Sequence, residues 1–261
     1  VEVVDAIRGI AVAMILMLHS IEHFNLYNQV APASPLLQFI DQMVWDGLWF
    51  MVGGKAYAIF ALLFGFSFYI MDRNAARRSE DFRLRFCWRM FLLFCFGCLN
   101  GSFFCGEVLV LYSIVGLVLP AVCRLKTRTL LVVAAVCMAQ PVEWIKALYA
   151  AFVDGSAQIL VFDCGEYWDA SMKMLSEGGF IDTVKTNLWE GQLFSLAWAW
   201  GAGRFFQTAS LFILGLVAGR MQWFADTADN RRLWARTFAV ALALFFPLYG
   251  LSSLIPDFVE S

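Results

Sequence analysis

The sequence predicts an all-α fold, a polytopic transmembrane helical bundle of about seven spans with an interfacial helix and one external connection. Three observations predict it. Of the 261 residues, 61% are apolar and only 15% are charged, against about 45–50% and about 25% in a soluble domain. Mean hydropathy is +0.69, more apolar surface than one globule of this length can hide. The apolar residues also fall in runs near the ~20 residues that cross hydrocarbon, separated by connections that are alternately basic and acidic. The 26 Phe and 10 Trp suit lipid-facing and interfacial positions.

The elements follow in order. A first span runs from about Ala6 to Ile21, with Arg8 near its start and His19 near its end. After a loop containing Pro32 and Pro35, the stretch Leu36 to Val52 is interrupted by Asp41 and Asp46 and reads as an interfacial or re-entrant helix. Ala56 to Met71 is a short, clean span, followed by Phe86 to Phe104 and Val108 to Cys123 around a tight turn. Thr129 to Tyr149 contains Pro141, which kinks or ends a helix. Residues 150–192 read as a soluble connection, and Leu193 to Arg220 and Thr237 to Ile255 supply the last two spans. Three parts result: a five-span bundle over 1–149, an extracytoplasmic connection over 150–192, and two spans over 193–261. The chain starts at Val1 and stops just after a span, so it is expected to belong to a longer protein.

Charge sets the orientation. Arg8, the six arginines between Arg73 and Arg89, the Arg124–Arg128 cluster and the four arginines from Arg220 to Arg236 hold 14 of the 19 cations. Residues 150–192 hold two lysines against seven acidic residues. The positive-inside rule predicts a cytoplasmic N-terminus and an external 150–192 segment, which is periplasmic if the membrane is a bacterial cytoplasmic (inner) membrane. A net charge of −2 suggests no nucleic-acid partner. The cysteines lie mostly within apolar runs and read as small hydrophobes, including the Cys95-Phe96-Gly97-Cys98 pair.

Ionisable groups inside spans are costly and mark candidate sites. Arg8 and His19 are eleven residues apart, about 1100° at ~100° per residue, which brings them within ~20° of one face. His23 lies one turn beyond, and Asp5 and Glu22 are neighbours of Arg8 and His19 at three residues' spacing. A cation and an imidazole thus share a stripe, roughly 16 Å apart along the axis. Read blandly, Asp5 pairs with Arg8 and His19 bonds a neighbouring helix. The His19-x-x-Glu22-His23 spacing also matches an inverted zinc-protease motif, but no third ligand follows and no metal is expected. Asp46, Lys55, Asn100, Glu107, Arg204 and Gln207 are further embedded or interfacial polar groups. Lys55 can snorkel, and Glu107 can complement a helix N-terminus. Arg204 sits in an aromatic stretch at the cation-poor end.

Several stretches resemble the YeiB-type bacterial inner-membrane family. They are Val4-Asp5-Ala6-Ile7-Arg8-Gly9-Ile10-Ala11, Lys55-Ala56-Tyr57 through Gly65, Gly106-Glu107-Val108-Leu109 followed by Tyr112, and Leu211 to Arg220. That family is similar in pattern to a wider superfamily of transmembrane acyltransferases, including bacterial sugar O-acyltransferases and heparan glucosaminide N-acetyltransferases. Arg8 and His19 match the Arg-(ten residues)-His spacing of the O-acyltransferases. Two positions depart from the family pattern, His19 where Asn is common and Glu107 where Asp is usual.

The resemblance implies an acyl-CoA donor, typically acetyl-CoA, and a glycan or lipid-linked sugar acceptor across the membrane. His19, with His23 as alternate, would be the base or acyl carrier, and Glu22 its orienting carboxylate. Arg8 and Lys55 would bind the donor, and Asp46, Glu107 and Arg204 the acceptor. The expected partners are membrane lipids and the acceptor, with a homo-oligomer admitted. A transporter or export partner using the same stripe without covalent chemistry is the rival from another class. A scaffold within an envelope complex is the third.

Overall fold

A computed structural model describes residues 2–25, 34–104, 106–153 and 159–252, and its described residues contain helices and connections but no strand. The first helix, α1 (Glu2–Asn25), is followed by α2 (Pro35–Val52) and α3 (Lys55–Ala76). Ser34 caps α2, its hydroxyl accepting from the Leu37 amide at 3.4 Å, and Pro35 occupies the first turn. There the missing N–H of proline costs nothing. Next come α4 (Arg83–Gly101) and two short apolar pieces, α5 (Leu109–Gly116) and α6 (Val118–Val122).

Two bent pairs follow. Helices α7 (Thr127–Met138) and α8 (Pro141–Phe152) meet at 50°, at the break that Pro141 announces in the sequence. The segment 150–192, expected to be a plain connection, contains α9 (Gly165–Glu177), α10 (Phe180–Thr186) and a π-helical turn, Asn187–Gly191. That turn leads into α11 (Gln192–Gly201), which is bent by 73° from α12 (Arg204–Arg220). The expected single span from Leu193 to Arg220 is therefore two helices, broken where Gly203 adopts φ +66, a left-handed conformation that favours glycine. Last is α13 (Ala228–Ser252).

Among the described residues, four stretches are long and apolar enough by themselves to cross a membrane, and up to six if each bent pair is one span, against about seven expected of the whole chain. The shortfall has a physical reason. The apolar run Leu109–Val122 extends only about 21 Å at ~1.5 Å per residue, short of a ~30 Å hydrocarbon core.

At the centre, α3 and α12 lie parallel, since Tyr57 meets Thr208, Phe64 stacks on Phe212 at 4.6 Å, and Gly219 faces Tyr69. Their backbones nearly touch. A Cβ placed on Gly65 would stand 1.9 Å from the Phe212 carbonyl oxygen, and one on Gly215 would stand 2.0 Å from that of Leu62. Small residues let membrane helices approach this closely. Phe68, Phe86, Tyr112 and Phe212, all nearly inaccessible, fill the adjoining core between α3, α4, α5 and α12. Helix α7 runs antiparallel to α12, held by the Ser210 hydroxyl on the Ala134 carbonyl at 2.8 Å. Helix α1 packs on another face of α3 through Val4, Ile7, Leu63 and Phe66.

These pairings gather the arginine-rich connections at one end of the bundle. The starts of α1 and α13, the ends of α3 and α12, and the turns before α4 and α7 all lie there. Arg220 donates to the Leu125 carbonyl at 2.7 Å and also to that of Cys123, tying two of those connections together. Asp81 receives Arg83 at 2.6 Å and Arg124 at 3.7 Å. Hydrogen bonding from Arg83 lowers the Asp81 carboxyl from its ordinary 3.8 to about 2. A depressed folded value means the pairing stabilises the turn above pH ~4 and is lost as pH falls through about 2. Between about pH 5 and pH 2, amide exchange across residues 78–85 should therefore rise, and Asp81→Asn should already exchange fast at the upper pH. A wild-type turn with exchange protection unchanged over that range would refute the assignment.

Candidate functional site

Two members of the polar stripe on α1, Arg8 and His19, contact other helices or turns. Near the arginine-rich end, the Arg8 guanidinium donates to Asp5 at 2.9 Å and to the Ser67 hydroxyl of α3 at 2.9 Å. Ser67 in turn donates to the Leu63 carbonyl at 2.8 Å, which fixes it as an acceptor for Arg8. The Asp5 carboxylate is well exposed, so this ion pair contributes little stability. Two of the five guanidinium N–H groups are engaged, and the Arg8 side chain is 39% exposed. Toward the other end of α1, the half-buried His19 ring meets Phe104 edge-to-face at 5.4 Å. Phe104 lies in the α4–α5 turn, just before Gly106 and Glu107. The side chains of Glu22 and His23 fall outside the described residues. No group of three metal-ligating side chains occurs among the described residues.

Glu107 is 5% exposed and turns back on its own helix. Its carboxylate accepts from the Leu109 amide at 2.7 Å and the Val110 amide at 2.9 Å, capping α5, while its carbonyl accepts from the Ser195 hydroxyl at 2.8 Å. A carboxylate on free amides at a helix start is stabilised by the helix dipole. Lys55 is exposed, donates to the Phe50 carbonyl and sits 5.2 Å from the Phe50 ring centroid. Asp46 is exposed on α2 and accepts from Gln42 of the same helix at 2.9 Å.

The candidates are thus not gathered in one cavity. Arg8 and Lys55, paired in the sequence reading as donor ligands, lie apart along α3: Ser67, the Arg8 partner, is twelve residues from Lys55, roughly 18 Å along the helix. Only an extended donor, not one phosphate group, would meet both. Asp46 touches none of the others. His19, Lys55, Glu107 and Arg204 share the arginine-poor end.

A polar cluster centres on Arg204. Its guanidinium lies 5.0 Å from the Tyr57 ring and 5.7 Å from the Trp198 ring, and donates to Gln207 at 2.9 Å. Cation–π contacts of this kind each contribute about 0.5–2 kcal/mol, more as water is excluded. The Tyr57 hydroxyl bonds that of Thr208, which donates to the Arg204 carbonyl at 2.5 Å. The Tyr112 hydroxyl donates to the Tyr57 carbonyl at 3.3 Å, and the two tyrosine rings meet edge-to-face at 5.5 Å. Tyr57, Tyr112, Thr208 and Trp198 were not singled out by sequence reasoning. A signal existed for two of them, since Tyr57 and Tyr112 each lie in a stretch that carries the family resemblance.

Just behind Arg204, the two helix breaks meet. Gln140, itself at φ 55, donates its amide to the Gly203 carbonyl at 3.0 Å. Its side-chain oxygen lies 2.6 Å from where a Cβ on Gly203 would stand, but a glutamine side chain can move aside, so it is the φ that favours glycine there.

The fold and these groups define an all-helical protein with several helices fit to cross a membrane and with polar clusters toward both ends. One curated relative, described as an uncharacterized 39.9 kDa protein in an amylase 3' region of Bacillus acidopullulyticus, is 30% identical over 122 residues. The match spans 47% of this chain and 34% of that relative, about a third of its length. No family model and no solved structure matches the chain.

Proposed function

We propose that this chain is an acyl-CoA-dependent acyltransferase of the bacterial inner membrane, with a cytoplasmic N-terminus and an acceptor hydroxyl or amine outside. The observation that carries the reading is the α1 stripe. It turns Arg8 toward α3 at the arginine-rich end and His19 toward the α4–α5 turn at the other, both against protein. In this reading Arg8 uses its remaining N–H groups on donor phosphate, and the acyl arm reaches along α1 toward His19. The imidazole takes the acceptor proton as the acceptor oxygen or nitrogen attacks the thioester carbonyl. The carbon–sulfur bond then breaks, and the proton passes to the leaving thiolate, giving free CoA. Arg204 in its aromatic setting serves the acceptor. Lys55, at the His19 end, meets the acyl arm of the donor.

The test is purified full-length protein with labelled acetyl-CoA and membrane glycan fractions. Acetyl-dependent CoA release with a labelled product is expected, and its absence across acceptors would sink the reading. Orientation has its own test in a cysteine-free background. Ser176→Cys should react with an impermeant thiol reagent added to intact cells, and Ser79→Cys should not; the reverse pattern would invert the orientation.

A transporter reading draws support from the meeting of the two bent pairs at Gln140 and Gly203, because broken helices frame binding sites in many transporters. It expects solute uptake with no dependence on CoA.

A further inference from the structure

At the arginine-rich end, a cavity of about 590 Å³ opens between the start of α1, the ends of α3 and α12, and the start of α13. The volume suits a small-molecule ligand. Phe66, Tyr69, Trp223 and Trp234 give it aromatic walls. Four charged side chains complete the lining, Glu2, Arg73, Asp226 and Arg231. Arg231 and Asp226 form a long, exposed pair at 3.5 Å. The Arg73 guanidinium and the Glu2 carboxylate make no hydrogen bond or ion pair among the described residues, which leaves one unmatched cation and one unmatched anion at the cavity.

The flank beside this cavity is apolar and open. No residue in the apolar window of α13 is buried, and its ring contacts with other elements lie toward its two ends. Trp234 stacks on Phe224 at 5.6 Å beside the cavity, and Phe245 and Tyr249 meet Phe50 of α2 at 5.7 and 5.8 Å beyond it. Between them α13 presents Phe238, Val240, Leu242 and Leu244, all exposed.

We propose that the cavity binds the headgroup of an aminophospholipid, with its phosphate on Arg73 and its ammonium on Glu2, and with its acyl chains lying along α13. A zwitterion matches one free charge of each sign. A nucleotide polyphosphate would bring several negative charges to a lining whose cations and carboxylates cancel, so it fits worse. Trp and Tyr at the rim suit the interfacial level of such a headgroup.

The experiment reconstitutes the full chain in nanodiscs of equal phosphatidylethanolamine, phosphatidylglycerol and phosphatidylcholine, then counts the lipids retained after mild delipidation by native mass spectrometry. Phosphatidylethanolamine should be retained over both others. Arg73→Gln and Glu2→Gln should each reduce that retention about tenfold, the loss expected for a charge-assisted bond, while Arg128→Gln on α7 leaves it unchanged. Arg73→Lys, which keeps the charge and is gentler on folding, should retain an intermediate amount. Equal retention of the three lipids would overturn the proposal. So would preference for phosphatidylglycerol or phosphatidylcholine, displacement of the lipid by millimolar ATP or CoA, or full retention in a folded Arg73→Gln protein.

Discussion

His19→Ala should lower acyl transfer by about 10²–10⁴ while the protein still inserts and purifies as wild type, because a positioned base typically contributes that much. Its ring makes an edge contact with Phe104 and is half-buried. His19→Gln keeps a polar side chain without a basic nitrogen and should fail nearly as badly. Arg8→Ala should behave otherwise, raising the apparent KM for the CoA donor more than it lowers kcat, since a phosphate contact is made in ground and transition states alike. Arg8→Lys should recover part of the loss, keeping the charge but not the fork that reaches both Asp5 and Ser67. A folded His19→Ala protein with undiminished transfer would remove His19 as the base, unless the His19, His23 double variant alone were inactive. Tolerance of His19→Gln together with CoA-independent solute movement would favour the transporter.

Gly65→Ala and Gly215→Ala should each produce the largest structural loss of any single methyl addition. The atoms in the way are carbonyl oxygens at 1.9 and 2.0 Å, and a backbone carbonyl cannot rotate aside as a side chain can. Overpacking ordinarily costs about 1–3 kcal/mol, and these sites should reach or exceed the top of that range because α3 and α12 must separate. The expected result is aggregation on size-exclusion chromatography, or a fall in Tm beyond that of any other Gly→Ala change. Gly47→Ala, with nothing within 4 Å of its added carbon, is the matched control and should be neutral or slightly stabilising. Wild-type Tm in both core variants would show that the two helices do not meet this closely in the membrane.

Much of the helical order was legible because long apolar runs leave few alternatives in a bilayer. The expected first span from Ala6 to Ile21 lies within α1, and the break at Pro141 is where α7 yields to α8. The break at Gly203 was not legible. Nothing in a lone glycine within an aromatic run tells a left-handed turn from a packed helical position. Helices α9 and α10 were missed because a polar stretch between spans reads as a connection, although α9 is amphipathic. The π-helical turn after them is anchored beside the end of α4, where Asn187 reaches the Ser102 carbonyl at 3.4 Å.

The stripe on α1 could be read because helical spacing relates residues of one element, and eleven residues return nearly to the same face. The Arg204 cluster could not be read that way. Tyr57 and Thr208 are 151 positions apart, and single-sequence periodicity says nothing about which helices become neighbours. Glu107 shows the limit in the other direction. It was read both as a complement to a helix N-terminus and as a substrate ligand, and its oxygens cap the helix it precedes, a role that spacing alone could not choose.

The glycine contacts between α3 and α12 also act as a watershed. With two backbones this close over Leu62 to Gly65 and Phe212 to Gly215, no solute and no alkyl or pantetheine-like chain can be threaded between them. Traffic from one end of the molecule to the other has to detour around the paired helices. Helix α1 instead rests on α3 through larger side chains, Val4 and Ile7 against Leu63 and Phe66. The pair itself is a fixed bank.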